Sequence, residues 1–341
     1  MNIIYALVYL VVYILSREIF KNLDKEGNTI SKCLPNYQFI RKGRKEKYVY
    51  YQYWGNWTKY PNVRELEKLI SGHIGKPVRV FFDRVLTVRV YKEKLPTLLE
   101  FPTELKEKNV SIGKGLDGYI YHDFEAYPHI IVAGTTGYGK STFIRSLVKQ
   151  INLLKLGETY IVDLKNDGDY VRTHARNIEQ THRLLKWIES KRDGKRRFIV
   201  VDEASLLYKP SFIDSRSHEG KMYLEIERMV TDIAQRGRSL KRHLIYATQY
   251  PTGDVVPKHI KQNIECRVAF RHLTEVASRV TLDESGAELL PRGLRGRALV
   301  KYDSVDEIQT FLVEKGEDSI DDNDSFRETK EKRTRHHFQI G

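Results

Sequence analysis

The chain has 341 residues, 40% hydrophobic and 30% charged, the proportions of an ordinary globular protein with room for two modest domains. Its two cysteines, Cys33 and Cys266, stand far apart, which argues against a disulfide framework or a cysteine metal site and makes a reducing compartment the default. A formal net charge of +13 suits a polyanionic partner, nucleic acid or an anionic membrane, without establishing one.

Met1 to Leu15 (MNIIYALVYLVVYIL) is uncharged, and Arg17, Glu18, Lys21 and Lys25 follow. A helix of that length spans roughly 22 Å, against about 30 Å of bilayer hydrocarbon. No basic residue precedes the run and no small-residue cleavage site follows it, which disfavours a cleaved signal peptide. Two readings stay open for residues 1–20. One is a membrane anchor with its basic flank on the cytoplasmic side; the other is an apolar helix buried against another domain or subunit. The expected location is cytoplasmic, with the anchor holding the chain to the inner face of the cell membrane.

Residues 28–111 are expected to form a small α+β module. Asn28 to Asn36 carries turn residues without a clear period. Arg41 to Lys47 (RKGRKEK) is basic and Tyr48 to Trp57 (YVYYQYWGNW) densely aromatic. That stretch reads as a β-hairpin with a basic turn; nucleic-acid contact by phosphates and stacking is the alternative. Asn62 to Ile74 has amphipathic helical spacing, and Val78 to Tyr91 alternates as a strand does. Phe101 to Tyr127 reads as short strands and turns.

Residues 112–313 hold the decisive motifs. Ile130 to Ala133 is a short apolar run expected to be a buried parallel strand. Gly134-Thr135-Thr136-Gly137-Tyr138-Gly139-Lys140-Ser141 then fits G-x-x-x-x-G-K-[ST], a loop whose backbone N–H groups cradle phosphates. Lys140 is placed to reach the β- and γ-phosphates, and Ser141 to ligate Mg²⁺. Thr142 continues the nucleotide-binding set into a helix expected over Ser141 to Ile151. Tyr160 to Lys165 is a second strand, and Thr181 to Ser190 a helix. Lys191 to Arg197 is a basic turn, read as a solvated loop.

Phe198 to Val201 leads into Asp202 and Glu203. A buried strand ending in two acids downstream of a phosphate loop is a Walker B pattern. Asp202 is the candidate Mg²⁺ residue, acting through the ion's water shell, and Glu203 the candidate group for polarising the attacking water. Together the two motifs imply an ATPase with ATP and Mg²⁺ as its cofactors. Met222 to Arg236 is an expected helix. Strands are expected at Leu244 to Gln249, Arg267 to Phe270, Ala298 to Tyr302 and Gln309 to Val313. From Glu314 the chain is charged and almost without apolar residues, so residues 314–341 are expected to be a disordered tail.

Strands ending at Ala133, Asp163, Asp202 and Gln249 fit a RecA-like α/β P-loop NTPase core: a mainly parallel sheet, helices on both faces, the nucleotide at its carboxyl edge. The surrounding residues resemble the FtsK/SpoIIIE DNA translocases. Pro128 to Ser141 resembles their phosphate loop, and Asp163-Leu164-Lys165 their Asp-Pro-Lys, with leucine for proline. Arg238 and His243 to Pro251 are similar to their arginine-containing helix and Ala-Thr-Gln strand. Ile260 to Phe270, Ser278-Arg279 and Leu282 to Leu290 match further stretches, in the family's order. The resemblance runs from about Ile112 to Val313.

It implies a ring, usually hexameric, that moves double-stranded DNA by ATP hydrolysis. The layout is closer to the small members carried by plasmids, conjugative elements and phages. Partners to expect are therefore duplex DNA, further copies of the chain, the membrane, and a relaxase or channel complex. Gln249 joins Lys140, Asp202 and Glu203 as a candidate catalytic residue. An arginine finger would have to reach a neighbour's nucleotide; Arg238, Arg267 and Arg279 are the candidates. A secretion-type ATPase with a protein substrate and a nucleotide-dependent assembly factor are the competing functions.

Overall fold

The computed structural model describes residues 23–55, 62–102, 105 and 109–317. The chain divides between Leu95 and Pro96 into two compact units, each taken here by itself.

Among the described residues the first unit is a four-stranded antiparallel sheet with two helices on one face. Its first helix, α1 (Lys25–Cys33), is capped by Asp24, whose carboxylate accepts from the Gly27 N–H at 2.9 Å. Turn-forming residues had pointed away from a helix here. The cap overrides them, and Gly27 is wanted for contact: a Cβ there would stand 2.9 Å from the Tyr51 ring. Strands β1 (Tyr37–Arg44) and β2 (Tyr48–Gly55) form the hairpin read from the sequence. Helix α2 (Val63–Ile74) follows its cap Asn62. The alternating stretch 78–91 is two strands, β3 (Val78–Asp83) and β4 (Val85–Tyr91), reversed at Arg84 with φ +58°. The sheet order is β1-β2-β4-β3. Tyr51, Tyr53, Val80, Leu86 and Val88 face inward against Ile30 and Ile70.

The second unit opens with the hairpin β5 (Val110–Gly115) and β6 (Gly118–His122). Strand β7 (Ile130–Ala133), helix α3 (Lys140–Leu153), β8 (Glu158–Asp163), α4 (Ile178–Ser190), β9 (Arg197–Asp202), α5 (His218–Leu240) and β10 (Arg242–Thr248) follow. After them come the short α6 (Lys258–Lys261), β11 (Cys266–Phe270), α7 (Glu275–Leu282), β12 (Arg297–Lys301) and β13 (Val305–Gln309). Nine strands form one sheet, ordered β6-β5-β13-β12-β11-β7-β10-β9-β8. The run β11-β7-β10-β9-β8 is parallel and the other four strands are antiparallel.

Every residue of β7, β9 and β10 is buried, so these strands read as unbroken apolar runs rather than alternating ones. Ile130 and Val132 pack under Phe143, Leu147 and Ile151 of α3, while Ile131 faces Leu184, Ile226 and Ile233 on the other side. Helices therefore cover both faces. The strand expected at 309–313 is corrected: β13 ends at Gln309, and Phe311 and Val313 are buried beyond it. Helix α7 had no counterpart in the sequence reading; Thr274 caps it by accepting from the Ala277 N–H.

The expected membrane anchor is also corrected. Among the described residues no helix is long and apolar enough to cross a membrane. The apolar run 1–20 and most of the expected tail, 318–341, lie outside the described residues.

Three histidines, His122, His129 and His243, are buried near the amino edge of the parallel strands, with His122 and His243 against Phe124 and His243 also stacked on Phe198. The His243 ring N–H donates to the Pro128 carbonyl at 3.0 Å, and His129 accepts from the Leu244 N–H at 2.9 Å. Burial pushes His122 and His129 down to about 3 and His243 to about 4. Native rings thus stay neutral while unfolded ones bind protons near pH 6.5, so stability falls as pH falls below that value. Between pH 7.5 and 5.5 each histidine should contribute a loss of about 1 kcal/mol, roughly 3–4 kcal/mol in all. Urea unfolding at the two pH values measures this; equal or greater stability at pH 5.5 would refute it.

Candidate functional site

The loop between β7 and α3 is shaped by two glycines with no room for a side chain. A Cβ on Gly134 would lie 2.5 Å from the Phe270 Cβ of β11. Gly139, at the start of α3, has φ +111°, and a Cβ there would stand 2.9 Å from the Gly296 nitrogen. Neighbouring segments brace the loop. Thr135 N–H donates to the Arg271 carbonyl at 3.0 Å, and Gly296 N–H to the Tyr138 carbonyl at 2.9 Å. No side chain caps α3 and no acid lies in its first turn. The positive end of the helix and its backbone N–H donors therefore face the loop, which suits a phosphate.

Lys140 and Asp202 form an ion pair with both side chains buried. Tyr170 OH donates to the other carboxylate oxygen of Asp202 at 2.7 Å, and burial beside that charge keeps the Tyr170 phenol protonated. Asp163 ends β8 in register with Asp202. Burial and the Asp202 charge push its carboxyl up, against the Asn166 N–H that donates to it. Glu203 follows with φ +66°. Its carboxylate accepts from Ser205 OH at 2.5 Å, Thr248 OH at 2.9 Å and Gln249 N–H at 3.1 Å, and faces the Lys165 ammonium at 3.1 Å. Thr136 OH donates to the Gln249 side-chain carbonyl at 2.6 Å. One chain of contacts thus runs from the phosphate loop through Gln249 to Glu203.

Ser141 lies beside the Asp169 carboxylate and helps to lower its pKa. Asp169 also meets Lys315 at 2.6 Å and Arg145 at 3.7 Å. Burial raises the Asp169 carboxyl, but Lys315, Ser141 and the Arg145 charge outweigh it and hold the group below the usual range. Thr142 OH accepts from Arg145 at 3.1 Å.

The structure thus brings together Lys140, Ser141, Asp202, Glu203 and Gln249 with the loop Gly134–Gly139. It does not bring the arginines there. Arg238 lies in the last turn of α5, next to the start of β10, and donates to the Ala126 carbonyl ahead of β7. Arg267 lies near the start of β11, held by the Lys261 and Ile264 carbonyls and by Asp283. Both belong to the amino edge of the parallel strands, away from the loop. Arg279 pairs with Glu275 one turn away on α7. Tyr170, Asp169 and Thr248 escaped the sequence reading. Nothing marks Tyr170 or Asp169 in a run of polar residues without a period, and Thr248 was read only as part of its strand.

This fold and this loop define a P-loop NTPase with a RecA-like α/β core. Residues 100–155 match the family model described as FtsK/SpoIIIE family. The DNA translocase FtsK of Chlorobaculum tepidum is 29% identical over 256 residues, covering 64% of this chain and 30% of that protein. FtsK of Lactococcus lactis subsp. lactis is 28% identical over 273 residues, covering 65% and 35%. The chain spans about a third of the length of these relatives. Among solved structures, the pCW3 conjugation coupling protein TcpA, in monomer form with ATPγS, aligns with a TM-score of 0.61 at 19% identity, over 92% of this chain and all of that one. The cytoplasmic domain of the Thermomonospora curvata type VII secretion ATPase EccC aligns at 0.51 and 18% identity, covering 65% of this chain and 29% of that one. At these identities the structures speak for the fold alone. The resemblance to FtsK/SpoIIIE proteins is borne out by the family match and the FtsK relatives.

Gly137 and Gly139 both have positive φ, but a Cβ on Gly137 meets nothing within 4 Å. Gly137→Ala should cost about 1 kcal/mol, the left-handed penalty alone. Gly139→Ala should cost roughly 3 kcal/mol or more, because a backbone clash adds to it. Urea denaturation of the two variants checks the ranking; equal losses would mean that the Gly296 contact does not constrain the loop.

Proposed function

We propose that this chain is an ATPase that moves double-stranded DNA, working as a ring of identical subunits in the service of a mobile element. The observation that carries the catalytic part is the meeting, at one sheet edge, of an uncapped helix N-terminus, Lys140 and the carboxylates of Asp202 and Glu203. The substrate part rests on likeness to the FtsK translocases and to the fold of a conjugation coupling protein.

ATP would lay its phosphates along Gly134–Thr142. Lys140 would then leave Asp202 for the β- and γ-phosphates, freeing that carboxylate. Among the described residues no group of three or more His, Cys, Asp or Glu could hold a metal. Ser141 and Asp202 nonetheless fit Mg²⁺, which keeps most of its waters, takes few carboxylates and shares its shell with phosphates. Bound there, the ion would neutralise phosphate charge. Glu203, steadied by Thr248 and Gln249 N–H, would take the proton of the water that attacks the γ-phosphorus as ADP leaves. Gln249, bonded to Thr136, is placed to sense whether the phosphate loop is filled. Arg238, Arg267 and Arg279 are left for a neighbouring subunit's nucleotide or for DNA.

Purified protein should hydrolyse ATP faster with duplex DNA. Lys140→Ala should abolish turnover. Glu203→Gln should keep ATP binding and lose at least about a hundredfold in rate, in the range of a general base. Stimulation only by a protein substrate would favour a secretion-type motor, and wild-type turnover in Glu203→Gln would remove Glu203 as the base.

Mixed rings test the finger. A Lys140→Ala subunit still offers its arginine, and an arginine-less subunit still offers an intact site. Mixing should restore part of the ATPase rate for at least one of the three arginines. No recovery, with ring formation and ATP binding intact, would refute a trans finger among them.

A further inference from the structure

Among the described residues, the sheet of the first unit has a second face that neither α1 nor α2 covers. Alternation turns Tyr51 and Tyr53 into the core, so Tyr50, Gln52 and Trp54 of β2 point the other way. Register places Tyr50 and Gln52 beside Arg89 and Thr87 of β4, those beside Arg79 and Phe81 of β3, and Trp54 beside Gln38 of β1. Trp54 is 54% exposed. Gly43 of β1 pairs with Tyr50, and a Cβ there would run into the Tyr50 ring. The glycine thus lets that ring lie across its neighbouring strand.

Guanidinium groups are interleaved with these rings. Arg89 lies 4.1 Å from the Phe81 ring centre and 4.7 Å from that of Tyr48, and Arg79 lies 5.5 Å from Phe81. Arg41 donates to Gln52 at 2.5 Å. Glu67 of α2 pairs with Arg79 at 3.1 Å, and the strand reversals bring Glu46 and Asp83. Between residues 23 and 95 the chain has 16 lysines and arginines against 7 aspartates and glutamates. Such a charge selects a polyanion, and flat rings beside guanidinium planes select one that can present unstacked bases.

We propose that this face binds single-stranded nucleic acid, with bases stacked on Trp54 and Tyr50 and phosphates met by Arg41 and Arg89. A duplex hides its base faces within the stack and would offer the rings nothing, whereas a four-stranded sheet bearing aromatics takes two or three splayed bases. The site is separate from the nucleotide loop and does not depend on ATP turnover.

The test is fluorescence anisotropy of a labelled oligothymidylate against the full chain without nucleotide, with a duplex of equal length for comparison. Trp54→Ala and Tyr50→Ala leave charge unchanged. Each should weaken single-strand binding by about tenfold, the effect of losing one stacked base. Duplex binding, thermal stability and ATP turnover should stay as in the parent, and Trp54→Phe should recover most of the affinity. No single-strand binding by the parent, parental affinity in both alanine variants, or equal losses for single strand and duplex would each overturn the proposal. Because the assay contains no nucleotide, those outcomes would not bear on the ATPase reading.

Discussion

A lysine and an aspartate, both buried, face each other across the carboxyl edge of the sheet. Neither charge would be tolerated there alone, and removing one partner of such a pair typically costs about 3–5 kcal/mol. Lys140 opens the helix that follows β7, and Asp202 closes β9; in the sheet β10 lies between those strands. The pair therefore spans a strand, and it fixes how far the start of α3 leans toward β9. Tyr170 takes the remaining Asp202 oxygen, so this carboxylate meets the lysine in one orientation. The lysine and the phenol together leave neither Asp202 oxygen without a partner.

The parallel core was legible because its strands are buried on both faces and appear as largely apolar runs, and β8, β9 and β10 end in polar residues at the same edge. Lys140 and Ser141 were legible because a glycine turn sets them at the start of a helix, and Asp202 and Glu203 because they close a buried apolar strand. What sequence hid was whatever depends on contact across the fold. Gly27, Asn28 and Thr29 look like a turn until Asp24 caps them and Tyr51 closes over the glycine. Asp169 and Tyr170 sit in a polar stretch, and only the folded chain shows one beside Ser141 and the other bonded to Asp202. Val78 to Tyr91 alternates through its own reversal, so pattern alone could not reveal that it is two strands.

The placement of the arginines follows from connectivity. A parallel strand must be entered from the amino edge, so each crossover helix ends there, and α5 delivers Arg238 to the edge opposite the phosphate loop. Arg267 is near the amino edge for the same reason, being the second residue of its strand. A residue so placed cannot serve the nucleotide of its own chain without rearrangement. Within one subunit, positive charge at the loop comes from Lys140, with Lys165 beside Glu203.

The antiparallel strands complete the loop rather than merely extending the sheet. Gly296, just before β12, donates to the Tyr138 carbonyl and is itself held when its carbonyl accepts from Thr310 N–H at 2.8 Å. Arg145 on α3 donates to the Val313 carbonyl at 3.2 Å, and Lys315 reaches Asp169, the neighbour of Ser141. The phosphate loop is thus pinned from residues more than 150 positions further along the chain. A glycine-rich turn has many conformations of its own, and ordering it costs more entropy per residue than ordering any other. Packing from β11, β12 and the segment after β13 supplies that order, which is why the parallel strands and their motif alone do not make the site.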